Sequence, residues 1–159
     1  MSDIHIDDFY RDSAKVLVRL YATFPTPVTL YVEDISGPDE PDEFGMHHPR
    51  FESCFSTMVW LAQHDYLHFN ELLRKEAMDG VVLTQKAFLI LAGSSLDNEL
   101  YKKASPETPP SITDRLNTQI AQLRNALNEG SSIQLKKAIT NVLSHPGVGD
   151  SPTPDYSTR

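Results

Sequence analysis

Two runs of backbone breakers cut this chain and limit what can form between them. Ser36 to Pro49 contains Gly37, Pro38, Pro41 and Gly45 among Asp39, Glu40, Asp42 and Glu43, and Ser105 to Pro110 contains three prolines. Proline supplies no backbone donor, and neither run holds a helical or alternating apolar period, so both must be loop or linker. What remains is a leading segment of under forty residues, a middle stretch and a C-terminal stretch of similar length. Regular elements are to be sought within those intervals. The chain has 159 residues, 40% hydrophobic and 23% charged, which suits one globular domain with an appendage.

In the first interval Phe9, Val16, Leu17, Leu20, Tyr21 and Phe24 recur at spacings near three and four, opposite Arg11, Lys15 and Arg19. The spacing predicts an amphipathic helix over 8–23, capped by Asp7 or Asp8 and stopped by Pro25 and Pro27. Residues 27–35 hold Val28-Thr29-Leu30-Tyr31-Val32 and read as a short strand. In the middle, Phe51, Cys54, Phe55, Met58, Leu61 and Ala62 share one face of a helix over 50–64, with Ser53, Ser56, Thr57, Trp60 and His64 on the other. Strand character follows at 65–69 and again at 81–84. Between them, Glu71 to Met78 consists of strong helix formers, and Asp79-Gly80 fits either the end of that helix or the type I′ turn of a hairpin. Thr84 is placed to cap a helix over 85–92, closed by Gly93 in the left-handed conformation, and Leu96 to Lys103 reads as another helical piece.

Past the 105–110 linker, Ile112, Leu116, Ile120, Leu123 and Leu127 form one apolar stripe ending at Gly130. Ile133, Leu135, Ile139, Val142 and Leu143 form a second, stopped by His145-Pro146-Gly147. Together they predict a helical hairpin over 111–145, whose stripes need a cover, either the body of the domain or a second copy. Residues 146–159 carry scarcely an apolar group and are expected to be disordered.

The formal charge is −8, with residues 1–48 holding three basic and ten acidic side chains. Such a surface disfavours DNA and anionic membranes. A single cysteine, Cys54, forms no internal disulfide, and Met1 to Asp8 lacks the basic and apolar regions of a secretory signal. The longest apolar run, Ala87 to Ala92, is far short of a membrane span, so the chain is expected to be cytoplasmic.

The order helix, short strand, helix, strand, loop, strand, helix resembles the winged-helix fold over about residues 8–93. Thr57-Met58-Val59-Trp60-Leu61 followed by His64-Asp65-Tyr66-Leu67 looks like a third helix running into the first wing strand, and Val82-Leu83-Thr84-Gln85-Lys86-Ala87 is similar to the turn that closes the second. The expected fold is therefore α+β: a winged-helix-like domain over 1–104 with the acidic loop 36–49, the linker 105–110, the hairpin 111–145 and the tail 146–159. Ala87 stands where that turn often has glycine, and the acidic loop leaves no clear second helix.

In nucleic-acid-binding winged helices the third helix enters the major groove, where base reading needs Arg, Lys, Asn or Gln. Here that helix offers Arg50 and Gln63, and the wing offers Arg74 and Lys75 for phosphates. Trp60, Tyr66, Thr57 and His64 suit a protein interface better, because aromatic anchors dominate such contacts; Trp60 packed inside the chain is the plainer alternative. His47 and His48 beside four acids have metal-ligand types but no coordinating spacing, and Cys54 lies on the apolar helix face, where a small buried hydrophobe is the ordinary reading. Ser94, Ser95 and Asp97 suit helix capping. No phosphate-binding glycine loop, catalytic motif, metal site or cofactor site is expected. The expectation is a non-catalytic regulatory or protein-interaction module, acting on a protein partner or as a homodimer. Its alternative is a dimeric DNA-binding transcription regulator; a small metal-dependent enzyme or hydrolase ranks last.

Overall fold

The computed structural model describes residues 3–94 and 118–145, and it is an α+β arrangement: among these residues six helices surround a small antiparallel sheet. The first helix, α1 (Ile4–Thr23), begins earlier than its apolar spacing predicts. Asp3 precedes it and makes no side-chain cap, and Asp7 falls inside the first turn, where a carboxylate favours the positive end of the helix dipole. Ala14, Val16, Leu17 and Leu20 of α1 are fully buried, each Leu contributing about 1.5–3 kcal/mol by leaving water.

Strand β1 (Val28–Tyr31) is shorter than predicted, because Val32–Ser36 turns into a five-residue helix, α2, closed by Gly37 at φ +94°. Burial explains the change: Val32 and Ile35 both reach the core only if the chain coils at this point. Residues 37–48 are loop, and α3 (Pro49–Gln63) follows with proline at its first position, where no donor is missed. Two strands then pair with one long one. β2 (Leu67–His68) and β3 (Glu71–Leu73) lie on the same side of β4 (Ala77–Leu83), with Leu67 opposite Leu83 and Leu73 opposite Ala77. β1 lies on the other side, Leu30 opposite Met78 and Val28 opposite Val81.

Glu71 to Met78 is thus a hairpin and not a helix, with its turn at Arg74-Lys75. Both residues have left-handed φ (+52° and +60°), and Glu76 N donates to Leu73 O at 2.9 Å, which is the type I′ pattern. Asp79-Gly80 is neither a helix end nor the turn. Gly80, at φ +67°, sits where the β1–β4 register slips, and Thr29 Oγ1 donates to Asp79 Oδ1 there at 2.7 Å. A Cβ on Gly80 would run into the Asn70 side chain, and at this positive φ any other residue is also strained.

Thr84 caps α4 (Gln85–Ala92), accepting from Ala87 N at 3.1 Å, but Gly93 has φ −76° and is not left-handed. Helices α5 (Gln119–Glu129) and α6 (Ser132–Leu143) form a hairpin around left-handed Gly130. Their buried residues Leu123, Ile139 and Val142 join the same core as α1, against which both helices pack. Ile133, predicted on the apolar stripe, is instead exposed. The helical piece 96–103, the linker 105–110, Ile112 and Leu116, and the tail 146–159 lie outside the described residues.

Candidate functional site

Between the first turns of α1 and the outer face of α3 runs an open groove of about 400 Å³, lined by His5, Ile6, Phe9, Ser53, Ser56, Thr57 and Trp60. Helical periodicity makes it. Ile6 and Phe9 are three apart on α1, and Ser53, Ser56, Thr57 and Trp60 follow the same three-four spacing on α3, so two side-chain rows face each other across the crossing helices. Trp60 is its one large aromatic on the α3 side. Its ring meets Phe9 edge-on at 5.1 Å, stacks on His64 at 4.0 Å and lies nearly parallel to Tyr66 at 6.2 Å. The indole is half-buried, which combines the two readings its sequence position allowed: it packs on the core and still presents an edge to solvent.

Other predicted site residues divide by how the fold uses them. His64 is exposed, with Nδ1 hydrogen-bonded to Trp60 O at 2.9 Å, which holds its ring against the indole. Thr57 is buried, its hydroxyl donating to Ser53 O at 3.0 Å, so it contributes to the groove floor without a free donor. Tyr66 is also buried. Its hydroxyl donates to Leu143 O at 3.1 Å, joining the base of the sheet to the end of α6, with the Lys86 ammonium 4.8 Å from its ring, and burial raises its pKa. Gln63 is exposed at the end of α3, and Arg74 and Lys75 are exposed at the hairpin turn far along the chain from the groove.

Arg50 is committed internally. Its guanidinium grips Asp12 of α1 through Nη1 to Oδ2 at 2.6 Å and Nη2 to Oδ1 at 2.5 Å, with Asp8 3.8 Å from Nε. The hydrogen bonds that Arg50 donates to the Asp12 carboxylate raise its pKa above the ordinary value. Asp12 is 0% exposed, a buried carboxylate that sequence reasoning missed although it carried a signal: it falls three residues after Phe9 and four before Val16, within the apolar row. Next to this pair Cys54 is buried, and desolvation first, then the Asp12 charge, push its thiol up to about 12. A thiol so held is no nucleophile at neutral pH.

In the loop, His47 Nδ1 lies 2.6 Å from Asp39 Oδ2, and the His47 ring stacks on Phe51 at 3.9 Å. The His47 hydrogen bond holds the Asp39 carboxyl below its usual value of 3.8. The adjacent His48 engages the same carboxylate through its backbone amide at 3.2 Å. Among the described residues no group of three or more His, Cys, Asp and Glu is placed to hold a metal ion, and no helix is long and apolar enough to cross a membrane. No family model, curated protein or solved structure matches the chain.

Proposed function

We propose that this chain is a non-catalytic regulatory module that binds protein through a winged-helix-like scaffold, with the α1–α3 groove as its docking surface. The order of elements from α1 to α4 and the sheet order β1-β4-β2 support the scaffold reading. In that reading β2–β4 is the wing and α3 is the helix that would face a partner. The observation that carries the function is the chemistry of the groove: an open, mainly apolar cleft lined by Phe9 and a half-buried tryptophan, with no Lys or Arg among its lining residues. Such a surface suits the apolar row of a partner helix, and it lacks the cations that contact with phosphates requires.

Trp60 is the sole tryptophan, so its emission reports on the groove alone. Titration with a short designed peptide carrying apolar residues at i, i+3, i+4 and i+7 is expected to shift that emission to the blue and to saturate. A scrambled peptide of the same composition is expected to leave it unchanged. Equal responses to both, or none to either, would overturn the proposal.

The alternative, a DNA-binding regulator acting as a dimer, is favoured by one feature: Arg74 and Lys75 stand exposed at the tip of the hairpin, where a wing meets phosphates. Tight association with mixed-sequence DNA fragments at low salt, lost at moderate salt, would establish it against the first reading.

A further inference from the structure

The two edges of the α1–α3 groove carry charge that its apolar lining does not. On the α1 edge Asp3 stands three residues before Ile6, a spacing that sets neighbouring positions on one helix face. The Asp3 carbonyl accepts from Ile6 N at 2.8 Å, but its side chain caps nothing, and the carboxylate is exposed. On the α3 edge Glu52 stands four residues before Ser56, again a neighbouring position, and it is exposed too. Neither carboxylate has an ion pair among the described residues.

Other charges on or beside these elements are engaged elsewhere or cancel. Arg50 is held by Asp12 and lies 3.8 Å from Asp8, two carboxylates to one cation. Asp7 and Arg11 line a separate cleft with Lys15 and Ser132, where α1 meets α6. Beyond Trp60 the exposed Asp65 is matched by Lys86, whose ammonium lies 4.8 Å from the Tyr66 ring. The groove therefore has an uncharged floor between two negative edges. Lys and Arg are the side chains that serve both surfaces at once, since the stem covers apolar area while the head stays in water at the rim. A carboxylate in the same place on a partner would meet like charge.

We infer that the groove selects a basic amphipathic helix, whose apolar row covers Ile6, Phe9 and Trp60 while Lys or Arg on either side of that row face Asp3 and Glu52. Selection of this kind presupposes that the groove docks a partner helix, and it adds the chemistry of that partner.

Three designed peptides that share one apolar row and differ only in its flanking residues, which are Lys, Gln or Glu, test this by titration into the full chain. With Trp60 emission as the readout, at low salt and pH 8, the Lys peptide is expected to bind at least about tenfold tighter than the Glu peptide, with the Gln peptide between them. The gap should narrow as salt passes about 0.1 M, where screening acts over about 10 Å. A chain of net charge −8 attracts any cation, so two variants separate the edge from the bulk. Glu52→Lys is expected to remove most of the preference. Glu71→Lys, at an exposed position on β3 outside both walls, changes the net charge equally and should leave the preference nearly intact. Far-UV circular dichroism checks that both variants are folded. Equal binding of the three peptides, or a preference reduced as much by Glu71→Lys as by Glu52→Lys, would overturn the inference and leave the groove as a docking surface. No saturable response to any of the three would overturn the docking surface and the inference with it.

Discussion

Removing the Arg50 guanidinium while keeping most of its stem, as Arg50→Met does, leaves the Asp12 carboxylate without its partner inside the contact between α1 and α3. Were this an ordinary surface pair, the change would cost at most about 1 kcal/mol. Asp12 is fully buried, however, and both of its oxygens accept from Arg50. Stripping one partner from a buried pair costs about 3–5 kcal/mol, because the remaining charge stays desolvated. The Arg50 side chain is 30% exposed, so water can follow the substitution inward, and the lower end of that range is expected. For a chain of this size about 3 kcal/mol lowers the melting temperature by roughly 6–12 °C.

Urea unfolding monitored by circular dichroism measures the free energy directly, and three variants make the outcome decisive. Arg19→Met breaks the exposed pair with Asp34 and should cost under about 1 kcal/mol. Asp12→Ala combined with Arg50→Met removes both charges and should recover much of the loss seen with Arg50→Met alone. A cost for Arg50→Met no larger than that for Arg19→Met would refute the claim that a buried pair fastens α1 to α3. So would a double variant as unstable as the two single changes added together.

Other outcomes follow from single contacts. Tyr66→Phe should cost about 1 kcal/mol by freeing Leu143 O at the end of α6, read as a fall in urea midpoint at unchanged slope. Replacing Arg74-Lys75 by Asn-Gly should raise stability by about 1 kcal/mol or more, since two left-handed positions pass to residues that tolerate them, whereas Gly80→Ala should destabilise through its clash with Asn70. Cys54, its thiol pushed up to about 12, should resist a disulfide reagent at pH 8 in the native chain and react at once in denaturant. The depressed pKa of Asp39 means that its contribution to loop stability is present above about pH 4 and is lost as the pH falls through the lower folded-state value. The backbone amide resonance of His48, which donates to Asp39, should move in that acidic window.

What could be read from the chain was whatever a period of three to four writes into it. The body of α1, α3 and the described part of the helical hairpin followed from apolar rows that the fold largely buries, Ile133 excepted, and α4 followed from its Thr84 cap. The β3–β4 hairpin was illegible for a local reason: Glu71 to Met78 is made of helix formers, and Arg74-Lys75 lacks the Asn or Gly that advertises a type I′ turn. Asp79-Gly80 did mark an unusual backbone, but the same φ serves a bulge as well as a turn. Trp60 was conspicuous as a large aromatic on a polar helix face, whereas the other wall of its groove was hidden by the acids Asp3, Asp7 and Asp8, which drew the start of α1 past Ile6.

The buried pair ties this structural reading to the choice between partners. Arg50 is the single cation in α3, and a free guanidinium at the start of such a helix is the natural group to meet a phosphate or a guanine edge. Here both of its terminal nitrogens are taken by Asp12, and swinging it outward would abandon a buried carboxylate at a cost of several kcal/mol, more than the roughly 1–3 kcal/mol that one good base contact returns. The residue that holds α3 in place is thereby withheld from nucleic acid, and the helix is left with Ser53, Ser56 and Trp60 to offer, and Gln63 at its end as its one remaining base-reading group. Asp12→Ala releases it. If that variant gains salt-sensitive affinity for DNA while the parent has none, the same carboxylate both fastens the scaffold and excludes the wrong ligand; if the parent already binds DNA as well as the variant does, Arg50 was never sequestered and the protein-binding reading of α3 fails with it.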